Sequence, residues 1–224
     1  LMETMLSHRM VKSGSSISRH QLYQHDLVPY TSHNSSMCFH ADTNDNELSG
    51  IINYSRNFLK ERSAEGSDPG LCVAILDDRL DRAPLISFGL KAKHQVLTKE
   101  EARNLAASVN IHLSENGGPG DGIIGALAGI GLRLEGNDGR VRGWLELGIP
   151  GTTIDVKQLA DSPFVDAILD TSGQPVPDDA RVVLSEPRAK TIIKNQQRVI
   201  PLSRTDEVDR PTWRTLTKKE IKQF

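Results

Sequence analysis

A run of glycines ends in an apolar, small-residue segment: Glu115-Asn116-Gly117-Gly118-Pro119-Gly120-Asp121-Gly122, then Ile123 to Gly131. Glycines at 117, 118 and 120 admit positive φ and place no side chain in the way of a ligand. If Gly122 opens a helix, its first N–H groups are unsatisfied and point back into the turn, where an anion is favoured. No lysine follows the glycines, so the segment is not a P-loop, and it does not fit the dinucleotide GxGxxG context. Close helix packing explains the same residues more simply, with Gly125, Gly129 and Gly131 letting the helix approach a neighbour. A phosphate or nucleotide contact through Gly118, Gly120, Asp121 and Gly122 is the functional alternative, and a main-chain contact to a partner protein is a third. Asp121 has two readings of its own: helix N-cap, or ligand of a magnesium ion through water.

A second turn, Glu65-Gly66-Ser67-Asp68-Pro69-Gly70, feeds an apolar run at Leu71 to Leu76. Asp-Pro-Gly is a strong turn signal, and acidic residues at a strand edge also occur in active sites. Ser67, Asp68 and Gly70 are therefore candidate contacts. In Ser32-His33-Asn34-Ser35-Ser36, His33 lies among hydroxyl and amide groups that suit phosphate or sugar hydroxyls. Asp77-Asp78 has a metal reading, but Arg79 and Arg82 favour a solvated charged turn. Arg188, Lys190, Lys194 and Arg198 would form a positive face if helical, either simply solvated or meeting a phosphate backbone.

The elements that must position these residues follow from periodicity. Leu48 to Leu59 has helical spacing, with an end near Arg62. Leu71 to Leu76, apolar throughout, reads as a central strand, and Pro84 to Leu90 as a short strand or turn. Thr98 followed by Glu101 is a capping box opening a helix with Ala102, Leu105, Ala106 and Val109 on its apolar stripe. Gly122 to Leu132 is the next helix. Met37 to Ala41, Arg140 to Leu147 and Arg181 to Leu184 read as strands, and Val156 to Ile168 as a short helix and a turn. Residues 1–20 read as a partly ordered lead-in, and the charged tail from Thr205 as peripheral. Alternating helices and short strands point to an α+β or α/β layered domain.

With 224 residues, 37% hydrophobic and 4% aromatic, the chain can bury a sizeable core of aliphatic side chains. A formal charge of −2 gives no sign of non-specific nucleic-acid binding. Cys38 and Cys72 lie in apolar runs and read as buried free thiols. Without CxxC or a Cys/His cluster no zinc site is expected. The longest apolar stretch is too short to span a bilayer, so no membrane partner is expected and a cytoplasmic location is the default. The chain opens on Leu1 rather than Met, so a preceding segment is expected.

Several blocks together resemble the archaeal tRNA agmatinylcytidine synthetase family. They are Glu65 to Gly70, Lys91 to Ala106, Gly120 to Leu134, Gly151 to Leu159 and Thr171 to Pro187, in matching order, and the resemblance spans residues 25–205. The family joins agmatine to a cytidine of an isoleucine tRNA using ATP, and contains a nucleotide-phosphorylating region, a ferredoxin-like domain, an OB-fold and a zinc ribbon. The chain looks like the ferredoxin-like part with adjoining segments. The resemblance implies an α+β fold with a ferredoxin-like layered domain and an adjoining α/β segment. It divides the chain into an N-terminal segment at 1–62, the ferredoxin-like domain at 63–205 and a peripheral tail at 206–224.

Gly118, Gly120, Asp121, Gly122 and Gly125 fall on the family's glycine-rich motif, and Ser67, Asp68 and Gly70 on its Gly-Ser-Asp-Pro-Gly block. Where the family has a basic Lys-Thr-Arg-Gly-Asn stretch, this chain has His33 and Asn34. The family's acidic ATP motif of the Ile-Asp-Asp-Thr-Asp-Ser type is absent, as is its zinc ribbon. The implied function is a nucleotide-dependent, tRNA-modification-related protein of ligase type, with ATP and Mg2+ as cofactors. The alternatives are a non-catalytic companion subunit, whose partner supplies the ATP motif, and a divergent enzyme with a small-molecule substrate.

Overall fold

The computed structural model describes residues 1–28, 34–205 and 213–224. The chain forms two compact units, Leu1–Glu135 and Gly136–Phe224. The expected boundaries lay at 62/63 and 205/206. Helices and strands mix in the α+β manner expected.

The first unit runs α1 (Met2–Ser7), β1 (Ser13–Gly14), β2 (Ser18–Gln21), β3 (Ser35–Cys38), β4 (Ala41–Asp42) and α2 (Leu48–Arg62). It continues with β5 (Gly70–Val73), α3 (Arg82–Lys91), α4 (Lys99–Ser108), β6 (His112–Glu115) and α5 (Gly122–Glu135). The lead-in at 1–20 is thus ordered, with Met5 and Val11 buried against Ile51 of α2. β2 and β3 pair antiparallel, as do β1 with β4 and β5 with β6. Helix α5 packs on β2, β3, β5 and β6 and on helices α3 and α4. Its Ile123, Leu127 and Leu132, with Leu85 of α3, are almost completely buried, each stabilising the unit by about 1.5–3 kcal/mol.

Two segments depart from their periodicity. Pro84 to Leu90 is part of helix α3. Asp81 caps that helix by accepting the Ala83 N–H at 3.2 Å, and Pro84 sits in the first turn, where the missing N–H costs nothing. The apolar run at 71–76 is a strand only to Val73 and pairs with β6; Ile75 and Leu76 are exposed. Where α3 meets α5, a Cβ on Gly131 would run into the Leu85 carbonyl oxygen, and one on Gly89 would lie 2.7 Å from the Leu132 nitrogen. The small residues of α5 therefore serve backbone-to-backbone packing here.

The second unit is richer in strands: β7 (Arg140–Val141), β8 (Leu145–Glu146), β9 (Thr153–Asp155), helix α6 (Val156–Ala160), β10 (Ala167–Asp170), β11 (Arg181–Val183), β12 (Arg188–Ala189), β13 (Ile192–Lys194), β14 (Gln197–Arg204) and β15 (Trp213–Thr215). β14 is central, antiparallel to β13 and β15 and parallel to β10. The expected strand at 140–147 is split into β7 and β8, with Gly143 at φ 103° between them. The basic stretch at 188–198 is not helical; Arg188, Lys194 and Arg198 lie in β12, β13 and β14, and Lys190 lies between β12 and β13. The described end of the tail, residues 213–224, is not peripheral: Trp213, Leu216 and Ile221 are buried in the cores of this unit, and Arg214 pairs with Glu220.

Candidate functional site

The antiparallel pairing of β5 with β6 sets Gly70 opposite Glu115. The turn before β5 and the turn after β6 therefore emerge at the same end of the ladder. Asn116 continues the pairing, its N–H donating to the Pro69 carbonyl at 3.0 Å. The two motifs that sequence reading held apart, Ser67 to Gly70 and Gly117 to Gly122, form one structure.

Asp68 is its centre. Its carboxylate accepts the backbone N–H of Gly120 and of Gly122, each at 3.1 Å. These amides are the ones an anion would seek at the start of α5, so the chain fills the position with its own carboxylate. Gly118 and Gly120 have φ of 58° and 88°, which a residue with a Cβ adopts only under strain. A Cβ on Gly122 would run into the Asp68 carbonyl, and one on Gly70 into the Gly122 carbonyl group. Gly70 and Gly122 are thus required by the close approach of two backbones. The Gly120 and Gly122 amides, two of the expected phosphate contacts, are both held by Asp68 in this structure.

The outer rim of the turn is charged. Lys99, the first residue of α4, donates from Nζ to the Pro119 carbonyl at 2.6 Å and lies 3.8 Å from the Asp121 carboxylate. About a third of each side chain is exposed, 33% for Lys99 and 38% for Asp121. The Thr98–Glu101 capping box starts α4 and so fixes where Lys99 stands. Arg103, one turn further, bonds the Glu115 carboxylate. Lys99 is not among the sequence candidates; its signal is the capping box that places it first in its helix. Asp121 caps α5 through its main chain, its carbonyl accepting the Ile124 N–H at 3.0 Å. Among the described residues no group of three or more His, Cys, Asp or Glu is placed to hold a metal ion. Asp121 is a single carboxylate beside an ammonium group, which suits a magnesium ion only if a ligand brings its own phosphate oxygens.

His33 lies outside the described residues. Its neighbour Asn34 is structural, donating from its amide to the Tyr23 carbonyl at 2.6 Å. Asp77 pairs with Arg79, as the charged-turn reading held. In the second unit Arg198 is bound by Asp166 and Arg188 by Glu146. Lys190 lies over the Trp144 ring at 4.7 Å while donating to the Gly143 carbonyl.

No family model and no curated protein matches this chain. No helix among the described residues is long and apolar enough to cross a membrane.

Proposed function

We propose that this chain is a nucleotide-dependent, tRNA-modification-related protein, of the kind implied by its resemblance to the agmatinylcytidine synthetases, with a ferredoxin-like layer under α5. One observation carries the reading: Lys99 is brought to the rim of the glycine turn beside Asp121, 3.8 Å away. A lysine at a glycine turn supplies the point charge that a phosphate group needs. Asp121 would hold Mg2+ through water, the phosphate oxygens completing the shell. Helix α5 packs on two antiparallel pairs, β2 with β3 and β5 with β6. Calorimetric titration of the whole chain with ATP–Mg2+, with and without tRNA, tests it. Asp121→Ala and Lys99→Ala are each expected to weaken ATP–Mg2+ several-fold. No binding by the unmodified chain, or unchanged affinity in both variants, overturns the reading.

A second reading rests on Asp68. Because its carboxylate occupies the Gly120 and Gly122 amides, the turn is suited to hold a fold as much as a ligand. This favours a companion subunit whose partner supplies the acidic ATP motif. Such a subunit shows no turnover alone and forms a stable complex with that partner; unaided turnover refutes it.

A further inference from the structure

The two faces of the β8–β12 ladder differ in chemistry. Its antiparallel register sets Leu145 opposite Ala189 and Glu146 opposite Arg188. Side chains alternate along a strand, so Leu145 and Ala189 share one face. Leu145 packs on the core of the second unit, and Ala189 is buried. Glu146 and Arg188 share the other face and are exposed. One step further along that face Trp144 meets Lys190, whose ammonium lies 4.7 Å from the centre of the ring.

Trp144 is 39% exposed, whereas the second tryptophan of the chain, Trp213, is 5% exposed in a core. Lys190 is held beside the indole, since its Nζ also donates to the Gly143 carbonyl at 2.6 Å. Arg142, two residues before Trp144, is exposed, and among the described residues no carboxylate pairs with it. Arg188 pairs with Glu146 at 2.8 Å, but 56% and 69% of their side chains are open to solvent. A pair so exposed is weak and easily exchanged for another anion. Three cations and one carboxylate therefore stand with this indole in residues 142–146 and 188–190.

A protein partner would have to cover Arg142 without giving up its own hydration cheaply, because a buried unpaired charge is costly. A single-stranded nucleic acid meets both parts of the surface at once: a base stacks on the aromatic ring while its phosphates meet the cations. Unpaired bases are common in RNA loops, bulges and ends, where stacking on aromatic side chains is the usual mode of recognition.

We propose that the Trp144 face of the β8–β12 ladder is a docking surface for single-stranded RNA. An unpaired base stacks on the indole, and flanking phosphates lie at Arg142 and Arg188, displacing Glu146 from the latter. Arg188 and Lys190 thus present their charge from one face of a ladder, two residues apart, rather than from a helix. The inference rests on the tRNA-related reading and gives that RNA a place to dock. It does not involve the glycine turn, so the two can fail separately.

Titration of the whole chain with a short single-stranded RNA tests this. Trp144 is the exposed tryptophan, so stacking on it is expected to quench the accessible part of the intrinsic fluorescence. Anisotropy of a labelled RNA follows the variants. Trp144→Ala is expected to weaken RNA by about tenfold, while Trp144→Phe, which keeps a ring, retains most of the affinity. Arg142→Ala should weaken RNA several-fold and reduce the slope of log affinity against log salt by about 0.7. Glu146→Gln frees Arg188 and should tighten RNA, a gain that a merely structural ion pair would not give. The proposal is overturned if RNA leaves the fluorescence unchanged, or if polyphosphate, which has no bases, quenches it equally. Undiminished affinity in Trp144→Ala, or duplex RNA binding as tightly as the single strand, also overturns it. A DNA strand of the same sequence that binds more tightly overturns the assignment to RNA. Loss of RNA binding with ATP–Mg2+ binding intact refutes this surface alone; the reverse result refutes only the glycine turn.

Discussion

Asp68 and Gly122, 54 residues apart, are joined by a 3.1 Å hydrogen bond from the Gly122 amide to the Asp68 carboxylate. A helix is normally capped by a residue just before it. Here a residue from another turn does the work, so the cap exists only when β5 and β6 have paired. Local and long-range order are tied together at this bond.

Replacing Asp68 by Ala removes the acceptor for two amides, those of Gly120 and Gly122. The expected loss is about 1–3 kcal/mol of stability, read from urea unfolding of the whole chain. Asp68→Asn, which keeps one acceptor oxygen, should lose less. If both variants unfold at the urea concentration of the unmodified chain, the cap has no energetic role.

The glycines of α5 should separate into two groups. Gly122→Ala and Gly131→Ala drive a Cβ into backbone, at Asp68 and at Leu85 respectively. Each should cost about 2–4 kcal/mol once the neighbouring elements shift. At Gly125 the new Cβ would meet only the Leu22 Cδ1, at 3.2 Å. That flexible methyl can move aside, and the gain in helix propensity, about 1 kcal/mol, should leave Gly125→Ala close to neutral. Equal Tm losses at all three positions would contradict this account.

In the second unit, the hydrogen bond from Arg214 and that from the Thr217 amide hold the Glu220 carboxyl down at about 2, from 4.5. The charged pair therefore stabilises the fold above about pH 4.5. The contribution is lost as pH falls from there through about 2. Both side chains are about one-third exposed, so solvent screening limits the amount to about 1 kcal/mol. Glu220→Gln should flatten the acid limb of a stability–pH curve by that much and lower stability at neutral pH. An acid limb identical to that of the unmodified chain would rule the pair out as its source.

Burial pushes the Cys38 thiol up to about 11, and Cys72 is raised in the same direction by the same cause. The thiolate is the reactive form, so both cysteines should resist alkylation at pH 8 in the folded chain. Labelling at both should become fast in denaturant. Rapid modification of the native protein at Cys38 would show that β3 is less protected than its packing against α5 implies.

Much of the local structure was legible in the residues. Helix α2 runs to Arg62 as its spacing predicts, the Thr98–Glu101 box opens α4, and Gly122 opens α5. These elements carry strong local signals: a 3.6-residue apolar period, a reciprocal cap, glycines ahead of an apolar stripe. Weak or mixed signals misled. Pro84 to Leu90 lacks a clean period because Leu90 of α3 is exposed while Gly89 is buried where the helix meets α5. The tail beyond Thr205 is charged, yet Trp213 and Ile221 anchor it in a core.

By itself, then, the sequence determined that α5 begins at a glycine turn, that the turn bends through positive φ, and that the cysteines are free thiols. It also named both turns, at Ser67 to Gly70 and at Gly117 to Gly122. Only the tertiary structure decided that they are one feature, since the antiparallel register of β5 and β6 brings them to the same end. It alone decided that Asp68 fills the Gly120 and Gly122 amides, that Lys99 reaches the rim, and that Arg133 is buried with no carboxylate paired to it among the described residues. Each of these is a contact between residues distant in sequence, set by strand register and helix packing, which no local period or spacing encodes.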